Sequence, residues 1–587
     1  MIMNAMNNRA STVKTSSQIL GIIVMGASIA LSMNMPGYAE VPNLGPLFVH
    51  VVDPISPGQI LPGTYPLPGS ASTMAQVSAC RDEYEPVSFV IRSSGRDITN
   101  LRFDPSDLVG DSGSIPKSSI DLRLVKVWYQ AGGGWNTIGL SYMGKSKVLV
   151  PELLLKDDEL IKADEASKSN FVRLKFPSGN KLVSVTEPAA LRVRVQTPAD
   201  EFPVSDAKEL QPISLRKNET RQLWVTVHVP HDAKSGIYRG RIAVMDDTGL
   251  IGNLGVTLEV LPFNLDPPKI DYSIYYRGTL SESSTISSER KSHTQFVAEL
   301  TNMLAHGVKN PTVYHRLNKA ELNETLRIRR EVGLDSSTLY YLGSGTGNPD
   351  TAEQLIMLNR RLKAMKDIVG EQGIKTIYLY GIDEAKGERL ASQRKAWEAV
   401  RDEGVKVFTA GSSDAFSLTG DLLDLLVLAG KLQPVQAEQF HGAGHRIFSY
   451  ANPQTGPENP EVFRRNYGLE LWRNDYDGAM PYAYQDSMGF IWNDFDHPQY
   501  RDHNFTYPTV DGVIDTLAWE GFREGIDDVR YVTTLENALE HSSKPYPAAA
   551  LEAKKFLTDL RASLPAHLAE VRSKTIYHLL RVVSENN

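Results

Sequence analysis

Cysteine is almost missing from this 587-residue chain, which contains only Cys80. A lone cysteine cannot close a disulfide within the chain and cannot build a cysteine-based zinc site. The chain also lacks a long basic run, with 62 Lys plus Arg against 70 Asp plus Glu and a formal charge of −8. This balance is unsuited to holding a phosphate backbone. Stability must therefore come from packing, and we expect no nucleic-acid partner.

Long apolar runs are missing too, and this bears on where the protein resides. The apolar stretch over residues 19–31 follows Arg9 and Lys14. It is shorter than the roughly 20 residues that span a bilayer, and small residues of the kind that a signal peptidase reads lie up to Ala39. We predict a cleaved signal peptide over residues 1–39, with cleavage near Ala39; a retained membrane anchor is the alternative. The mature chain is expected in a bacterial periplasm or outside the cell, without a membrane span.

Apolar and charged residues are present in ordinary proportions, 41% and 22%. This composition excludes intrinsic disorder of the whole chain, and the length predicts about two to four domains. Residues 40–265 consist of short alternating segments separated by clusters of Gly, Pro, Asp and Ser. Such spacing is typical of β-strands in antiparallel sandwiches. We therefore predict an all-β region of one or two sandwiches over residues 40–265.

The pattern changes after the stiff segment Asp266–Lys269. Over residues 270–510 apolar strands alternate with amphipathic helices, which predicts a (β/α)₈ barrel. The candidate strands are Tyr272–Tyr276, Pro311–His315, Leu339–Leu342, Thr376–Tyr380, Val405–Ala410, Leu422–Leu428, Arg446–Tyr450 and Gly478–Tyr482. An open doubly wound sheet is the alternative, but Gly343, Gly345 and Gly347 lack the GxGxxG spacing of a dinucleotide site. Residues 511–587 are predicted to form a helical C-terminal extension.

Two adjacent carboxylates follow the fourth candidate strand, at Asp383 and Glu384. Active sites of such barrels lie at the carboxyl ends of the strands. Neighbouring carboxylates push their pKa values apart, which suits one acid and one base in sugar chemistry. Adjacent residues of a regular strand face opposite ways, so the pair can converge only if the strand breaks near Gly381. A solvated loop with an accidental acidic pair is the alternative.

The segment Tyr380–Glu384, followed by Tyr507, Pro508 and the stretch Trp519–Asp528, resembles the catalytic region of glycoside hydrolase family 123. The segment Leu223–Gly240 also resembles the sandwich domains that precede catalytic barrels in bacterial carbohydrate enzymes. The resemblance implies an exo-acting β-N-acetylgalactosaminidase that retains configuration by substrate assistance. In that mechanism the 2-acetamido oxygen of the sugar replaces a carboxylate nucleophile.

The resemblance also implies a role for each carboxylate. Glu384 would protonate the leaving oxygen and then activate water, and Asp383 would orient the acetamido group and stabilise the oxazolinium-like charge. It implies a carbohydrate substrate, no cofactor and no metal. Where related sequences carry a tryptophan in the eighth strand, this chain has Tyr482 and Tyr484, which predicts a differently built sugar platform.

Other polar and aromatic residues at strand ends are candidates for holding the sugar, because a pyranose needs an aromatic floor and directed hydrogen bonds. These candidates are Tyr276, Arg277, His315, Tyr380, Tyr450, Asn452 and Tyr484. Each of them, taken singly, could equally be a packing or loop-fixing residue.

Three further interpretations stay open. Asp494 or Asp496 could serve as a second carboxylate in a conventional glycosidase acting on a sugar without an acetamido group. These two residues with His497 could also form a metal site, although the pattern is unspecific. A non-catalytic glycan-binding or surface scaffold protein is the hypothesis of another class.

The acids and arginine of Arg523–Asp528 are expected to form a structural ion-pair network.

Overall fold

The structure is a computed structural model of the full chain, and it describes residues 43–130, 147–187, 194–454, 459–497, 501–541 and 548–586. The predicted signal peptide, residues 1–39, lies outside the described residues, so its cleavage and the export of the protein stay predictions. Among the helices of the described part, none is long and apolar enough to cross a membrane.

The N-terminal region contains two seven-stranded sheets that face each other. The strands of the first are Asn43–Leu44, Leu47–Val52, Ser70–Ala71, Tyr84–Ser93, Ile120–Gln130, Val148–Leu155 and Thr220–His228. The strands of the second are Met74–Ala79, Ile98–Pro105, Leu108–Gly110, Gly113–Ile115, Ile213–Leu215, Gly236–Asp246 and Gly249–Val260. Alternate apolar side chains of both sheets, among them Phe89, Val225 and Leu254, form the core between them. This arrangement is a β-sandwich, and its strands are antiparallel apart from one parallel pair.

A smaller three-stranded sheet, Ile161–Asp164, Ser169–Phe176 and Gly179–Ser184, extends this region. Its apolar side chains share a core with Trp128 of the sandwich and with Trp492 and Tyr507, which follow the eighth barrel strand. Short two-stranded ladders complete the described strands: Thr197–Pro198 with Thr285–Ile286, Gln485–Asp486 with His503–Asn504, and Thr506–Pro508 with Val513–Asp515. The N-terminal region therefore packs directly on the loops that follow the barrel strands.

The C-terminal half contains a parallel sheet whose strands are Asp271–Tyr272, Thr338–Tyr341, Thr376–Tyr380, Lys406–Gly411, Leu425–Ala429, Arg446–Tyr450 and Gly478–Ala479. The first of these strands pairs with the last. The gap between the first and the Thr338–Tyr341 strand is filled by the segment 311–315: Thr312 donates its N–H to Ile274, at 3.0 Å, and Val313 bridges to Tyr341. The eight candidate strand segments thus form a closed barrel, and the open doubly wound sheet is excluded.

Helices connect the barrel strands and cover the outside of the barrel. They are α1 (His293–Ala305), α2 (Lys319–Val332), α3 (Ala352–Gly370), α4 (Gly387–Ala391), α5 (Arg394–Asp402), α6 (Ala415–Thr419), α7 (Pro434–Gly442), α8 (Pro460–Tyr467), α9 (Leu469–Arg473), α10 (Leu517–Glu540), α11 (Ala548–Ala562) and α12 (Leu568–Asn586). The predicted fold class, a β-sandwich region followed by a (β/α)₈ barrel and a helical extension, is confirmed. The predicted domain boundaries stay predictions.

Helix α10 joins the parts of the molecule. Thr516 caps its N-terminus, with a hydroxyl that accepts from the N–H of Trp519, and the helix packs against α8 and α12. Along α10, Asp528 pairs with Arg464 of α8 at 2.7 Å and with Arg572 of α12 at 2.8 Å. Arg572 also pairs with Glu85 of the sandwich at 3.0 Å. The expected ion-pair network is therefore confirmed, and it ties the sandwich, the barrel and the C-terminal helices together.

Candidate active site

The fourth barrel strand ends in a bend that brings two carboxylates to the barrel opening. The ladder continues through Gly381, whose N–H donates to Phe408 at 2.8 Å. The chain then turns, and Glu384 has a left-handed backbone with φ of 45°. A non-glycine residue adopts this conformation at some energetic cost, and such residues cluster at functional sites. The sequence predicted a break near Gly381, and the left-handed residue lies three positions later, at Glu384.

Each carboxylate accepts a hydrogen bond from a tyrosine that faces the barrel interior. The Tyr380 hydroxyl donates to Asp383 Oδ1 at 2.5 Å. The Tyr450 hydroxyl, from the seventh strand, donates to Glu384 Oε1. Both carboxylates are exposed. The carboxylates therefore converge on one opening, and an uncharged tyrosine hydroxyl donates to each of them.

The surroundings shift the pKa of Asp383. Although the Asp383 side chain reaches the surface, partial burial of its carboxyl group raises this pKa, the hydrogen bond from Tyr380 lowers it, and the charge of Glu384 raises it further. Burial also raises the pKa of Tyr380 and Tyr450, so both stay protonated donors at neutral pH. The proton occupancy of Asp383 therefore depends on the Tyr380 hydroxyl and on the neighbouring Glu384.

Tyr275 of the first strand extends this group across the barrel. Its hydroxyl lies 3.4 Å from the Tyr380 hydroxyl, and its ring centroid lies 6.4 Å from that of Tyr450. On its other side it packs against Tyr482, with ring centroids 5.4 Å apart. Aromatic rings of this kind can form the floor that a pyranose needs.

A second charged group lies beyond Tyr482. The Asp486 carboxylate accepts from the Tyr482 hydroxyl at 2.7 Å and from Arg194 at 2.5 and 2.7 Å. Arg277 Nε lies 3.5 Å from the same carboxylate, and the Arg277 guanidinium lies 5.1 Å from the Tyr314 ring centroid. These pairs hold the pKa of Asp486 below its usual range despite its burial. Arg277, a predicted sugar-binding residue, therefore lies beside the aromatic floor.

Four other predicted sugar-binding residues lie outside this opening. The Tyr276 hydroxyl donates to Glu299 at 2.7 Å, and the Tyr484 hydroxyl donates to Asn302 at 3.0 Å, both among the helices around the barrel. His315 Nε2 accepts from the N–H of Leu280 at 2.7 Å, and burial lowers the pKa of His315 to about 4.

Asn452 is the fourth of these residues. It is buried, and its backbone N–H donates to the Tyr467 hydroxyl at 3.1 Å behind the seventh strand. All four residues therefore contact elements that shape the barrel and its loops, and the structure does not bring them together with the Asp383–Glu384 pair.

Asp494 and Asp496 lie in the contact between the barrel loops and the N-terminal region. Asp494 Oδ2 accepts from Gln130 and from Tyr507, each at 2.6 Å, and Asp496 Oδ2 accepts from the Phe490 N–H at 2.7 Å. Both aspartates are buried. Their contacts among the described residues do not include Glu384. In the metal site hypothesised with His497, both carboxylates therefore already accept hydrogen bonds from the protein.

A different group, His306, Asp515 and Glu520, has ligand atoms close enough for a metal ion. Its atoms are already paired: Asp515 accepts from Arg123 at 2.7 Å, and Glu520 accepts from Arg523 at 2.5 Å. A cation would have to compete with two guanidinium groups, of which that of Arg523 is buried. The donor set therefore suits a structural network better than a metal centre.

Comparison with known proteins identifies the chain. A family model described as "Glycoside hydrolase 123 N-terminal domain" matches residues 143–246, and one described as "Glycoside hydrolase 123, catalytic domain" matches residues 301–535. Together they match more than half of the chain. The chain belongs to glycoside hydrolase family 123. This confirms the resemblance seen in the sequence, and membership in family 123 supports glycoside hydrolase activity on a carbohydrate.

Solved structures place the fold of this family 123 protein in context. A family 123 glycoside hydrolase from Clostridium perfringens matches with a TM-score of 0.58 and 13% identity, covering 92% of this chain and 98% of that chain. At this identity the likeness supports the fold. A family 39 glycoside hydrolase from Bacteroides cellulosilyticus WH2, with a TM-score of 0.31 and 10% identity over 53% of this chain and 74% of that chain, is too distant to carry an argument. Among curated proteins nothing matches.

Several residues of this family 123 site were missed by the sequence analysis. Tyr275 and Tyr314 precede the predicted Tyr276 and His315 by one position, and they face the opening where their neighbours face outward. Arg194 lies 292 residues before Asp486, and no local pattern links them. Successive side chains of a strand face opposite sides, so alternation shows that one residue of each adjacent pair faces the opening but does not show which one.

Proposed function

We propose that this family 123 protein is an exported glycoside hydrolase that removes terminal β-linked N-acetylhexosamine, of the N-acetylgalactosamine type, by substrate-assisted retaining hydrolysis. The observation that carries the proposal is the convergence of Asp383 and Glu384 on one opening, each with a tyrosine donor on one oxygen. Substrate assistance needs two adjacent carboxylates with different tasks and needs no protein nucleophile. The geometry of the pair supplies this arrangement.

Glu384 is assigned the acid-base role. The Tyr450 hydroxyl occupies Oε1, which leaves Oε2 for the glycosidic oxygen. In the first step the carboxyl proton of Glu384 passes to the leaving oxygen as the acetamido oxygen bonds to the anomeric carbon and the glycosidic bond breaks. In the second step the Glu384 carboxylate takes a proton from water, whose oxygen attacks the anomeric carbon and reopens the oxazolinium ring. Two displacements at one carbon retain the β configuration.

Asp383 is assigned the orienting role. Tyr380 holds Oδ1 at 2.5 Å, and the other oxygen can accept the acetamido N–H of the substrate. This hydrogen bond aligns the acetamido oxygen with the anomeric carbon and increases its nucleophilicity, and the ionised carboxylate stabilises the positive charge of the oxazolinium ring. Asp383 must therefore be ionised during the reaction, although burial raises its pKa.

Two competing functions have less support. A conventional glycosidase needs a second carboxylate near Glu384, and Asp494 and Asp496 are engaged in buried contacts with Gln130 and Phe490. A non-catalytic scaffold protein would not need two accessible carboxylates at one barrel opening. Neither function is favoured by an observation of its own.

A substrate panel tests the proposal. The mature protein would be assayed on 4-nitrophenyl β-glycosides of N-acetylgalactosamine, N-acetylglucosamine, galactose and glucose, with a glycolipid glycan added because the similar Clostridium perfringens protein is described for glycolipid glycan hydrolysis. We expect activity on acetamido sugars alone, with the β-anomer as the first product seen by proton NMR. Activity on galactoside or glucoside would contradict substrate assistance, and binding without turnover would favour the scaffold.

Export is part of the proposal and rests on the composition of residues 1–39. Expression of the full chain in a bacterium, followed by mass spectrometry of the periplasmic and secreted fractions, would test it. We expect a chain that begins near residue 40. A chain that retains residues 1–39 in the membrane fraction would favour the anchor.

A further inference from the structure

One side of the barrel opening is built by the N-terminal region. The Val195 N–H donates to the Gly489 carbonyl at 2.9 Å, in the loop that follows the eighth strand. Two residues on, the strand Thr197–Pro198 pairs with Thr285–Ile286, in the loop that follows the first strand. The segment 194–199 therefore spans two loops at the same end of the barrel as the Asp383–Glu384 pair.

This segment carries polar side chains to the opening. The Arg194 guanidinium donates two hydrogen bonds to Asp486, at 2.5 and 2.7 Å, and one to the Tyr482 hydroxyl, at 3.3 Å. Gln196 donates to Glu289 at 2.7 Å, and Glu289 accepts from Arg277. Hydrogen bonds and the Arg277–Asp486 ion pair link a group of side chains that we call the charged wall: Arg194, Arg277, Glu289, Tyr482 and Asp486.

The charged wall and the Asp383–Glu384 pair surround the same space. Tyr482 donates to Asp486 and packs against Tyr275, with ring centroids 5.4 Å apart. The Tyr275 hydroxyl lies 3.4 Å from that of Tyr380, which donates to Asp383. The Arg277 guanidinium lies 5.1 Å from the ring centroid of Tyr314, which packs against the same aromatic cluster as Tyr275 and Tyr450.

The two arginines retain capacity to bind a ligand. Arg194 is 38% exposed and Arg277 is 19% exposed, whereas Asp486 between them is 1% exposed. Within the described part of the chain, neither Nη1 atom has a hydrogen-bond partner. Asp486 holds both guanidinium groups in place, so their remaining N–H groups are fixed donors at the rim of the opening.

We propose that Arg194 and Arg277, held by Asp486, bind hydroxyl groups of the sugar that occupies the Asp383–Glu384 site. The N-terminal region thereby supplies a specificity-determining residue to the barrel. This inference rests on the proposed function, because it takes the ligand to be a sugar. Planar guanidinium groups suit vicinal hydroxyls, and the aromatic floor of Tyr275 and Tyr482 lies directly beside them.

Binding of free N-acetylgalactosamine to the mature protein, measured by titration calorimetry, tests the inference without requiring turnover. We expect Arg194→Ala to weaken binding about tenfold or more, because a hydrogen bond to a charged group is lost. Arg194→Lys keeps the charge but not the planar fork and should recover only part of the affinity. Arg221→Ala is the matched control, because Arg221 belongs to the same region and pairs with Asp158 and Glu219 away from the opening.

Deoxy sugars separate direct contact from a general structural effect. If Arg194 binds a hydroxyl, one of the 3-, 4- and 6-deoxy analogues should bind weakly to the wild type and lose nothing further in Arg194→Ala. Additive losses for every analogue, equal affinity of Arg194→Ala and wild type, or no binding to the wild type would overturn the inference. The glycoside panel decides the hydrolase function separately: an inactive wild type whose sugar binding still depends on Arg194 would refute that function and support this inference.

Discussion

Two sets of carboxylates in this protein have opposite surroundings. At the barrel opening, Asp383 and Glu384 are exposed and accept from tyrosine hydroxyl groups. In the interior, Glu524 and Asp528 of α10 are buried and pair with Arg572 at 2.6 and 2.8 Å. The first set keeps oxygens accessible to a ligand, and the second set has its charge compensated inside the protein.

This difference in surroundings indicates that the exposed pair serves the reaction and the buried carboxylates serve stability. A buried carboxylate paired with arginine costs much to disturb, because removing its partner leaves an uncompensated charge. An exposed carboxylate held by a neutral hydroxyl can change its protonation state without that cost. We therefore expect substitutions in the two sets to affect activity and stability in opposite ways.

The largest effect on activity is expected for Glu384→Gln. The amide cannot donate and recover a proton, so kcat on an acetamido substrate should fall by about 10²- to 10⁴-fold. The thermal midpoint should change little, because the side chain is exposed. Glu398→Gln, an exposed position on α5, is the control and should retain full activity. Full activity of Glu384→Gln would remove this residue from the mechanism.

The largest effect on stability is expected for Arg572→Ala. It removes the buried cation that Glu85, Glu524 and Asp528 share, which costs about 3–5 kcal/mol in the free energy of unfolding. Denaturant unfolding measures the loss, and kcat of the folded fraction should stay unchanged. Arg581→Ala on the same helix is the control, because its partner Glu552 is exposed and little change is expected. Equal stabilities of the two variants would break the comparison.

Asp494→Asn sharpens the comparison by testing the rival carboxylate. Its buried contacts with Gln130 and Tyr507 predict a stability loss of about 1–3 kcal/mol with kcat within about twofold of wild type. Denaturant unfolding and the nitrophenol assay measure the two quantities on one sample. A folded, inactive variant would instead support a second catalytic carboxylate.

Tyr380→Phe should give the smallest effect, a shift in pH dependence. The Tyr380 hydrogen bond lowers the pKa of Asp383, which burial raises, so removing the hydroxyl should raise this pKa further. Because the ionised form of Asp383 is required, the acid limb of the kcat/KM profile should move to higher pH. Tyr378→Phe, two residues earlier in the same strand, is the control and should leave the limb in place. A shift to lower pH would contradict the assigned role of Asp383.

The barrel and its acidic pair could be predicted from the sequence because their signals are local. Each strand is a short apolar segment, and the pair directly follows one of them at Asp383 and Glu384. Even the short second strand, which bridges to its neighbour at Val313, was recognisable as an apolar segment. Strand order and closure followed from the alternation of strands with helices.

The rest of the opening could not be predicted, for two physical reasons. Which of two adjacent residues faces the barrel interior depends on strand register. A shift of one position would place Tyr276 inside the barrel opening and Tyr275 against the surrounding helices. The Arg194–Asp486 pair depends on how the N-terminal region docks on the barrel loops, which no local spacing encodes.

The central claim, that the acetamido oxygen of the substrate is the nucleophile, is tested most directly by a fluorinated substrate series. The kcat/KM of the wild type would be measured on 4-nitrophenyl β-glycosides of N-acetyl-, N-fluoroacetyl-, N-difluoroacetyl- and N-trifluoroacetyl-galactosamine. Each fluorine withdraws electrons from the amide oxygen, so substrate assistance predicts a steep, progressive fall in rate across the series. A rate that is independent of fluorine content would contradict the account and require a nucleophile from the protein.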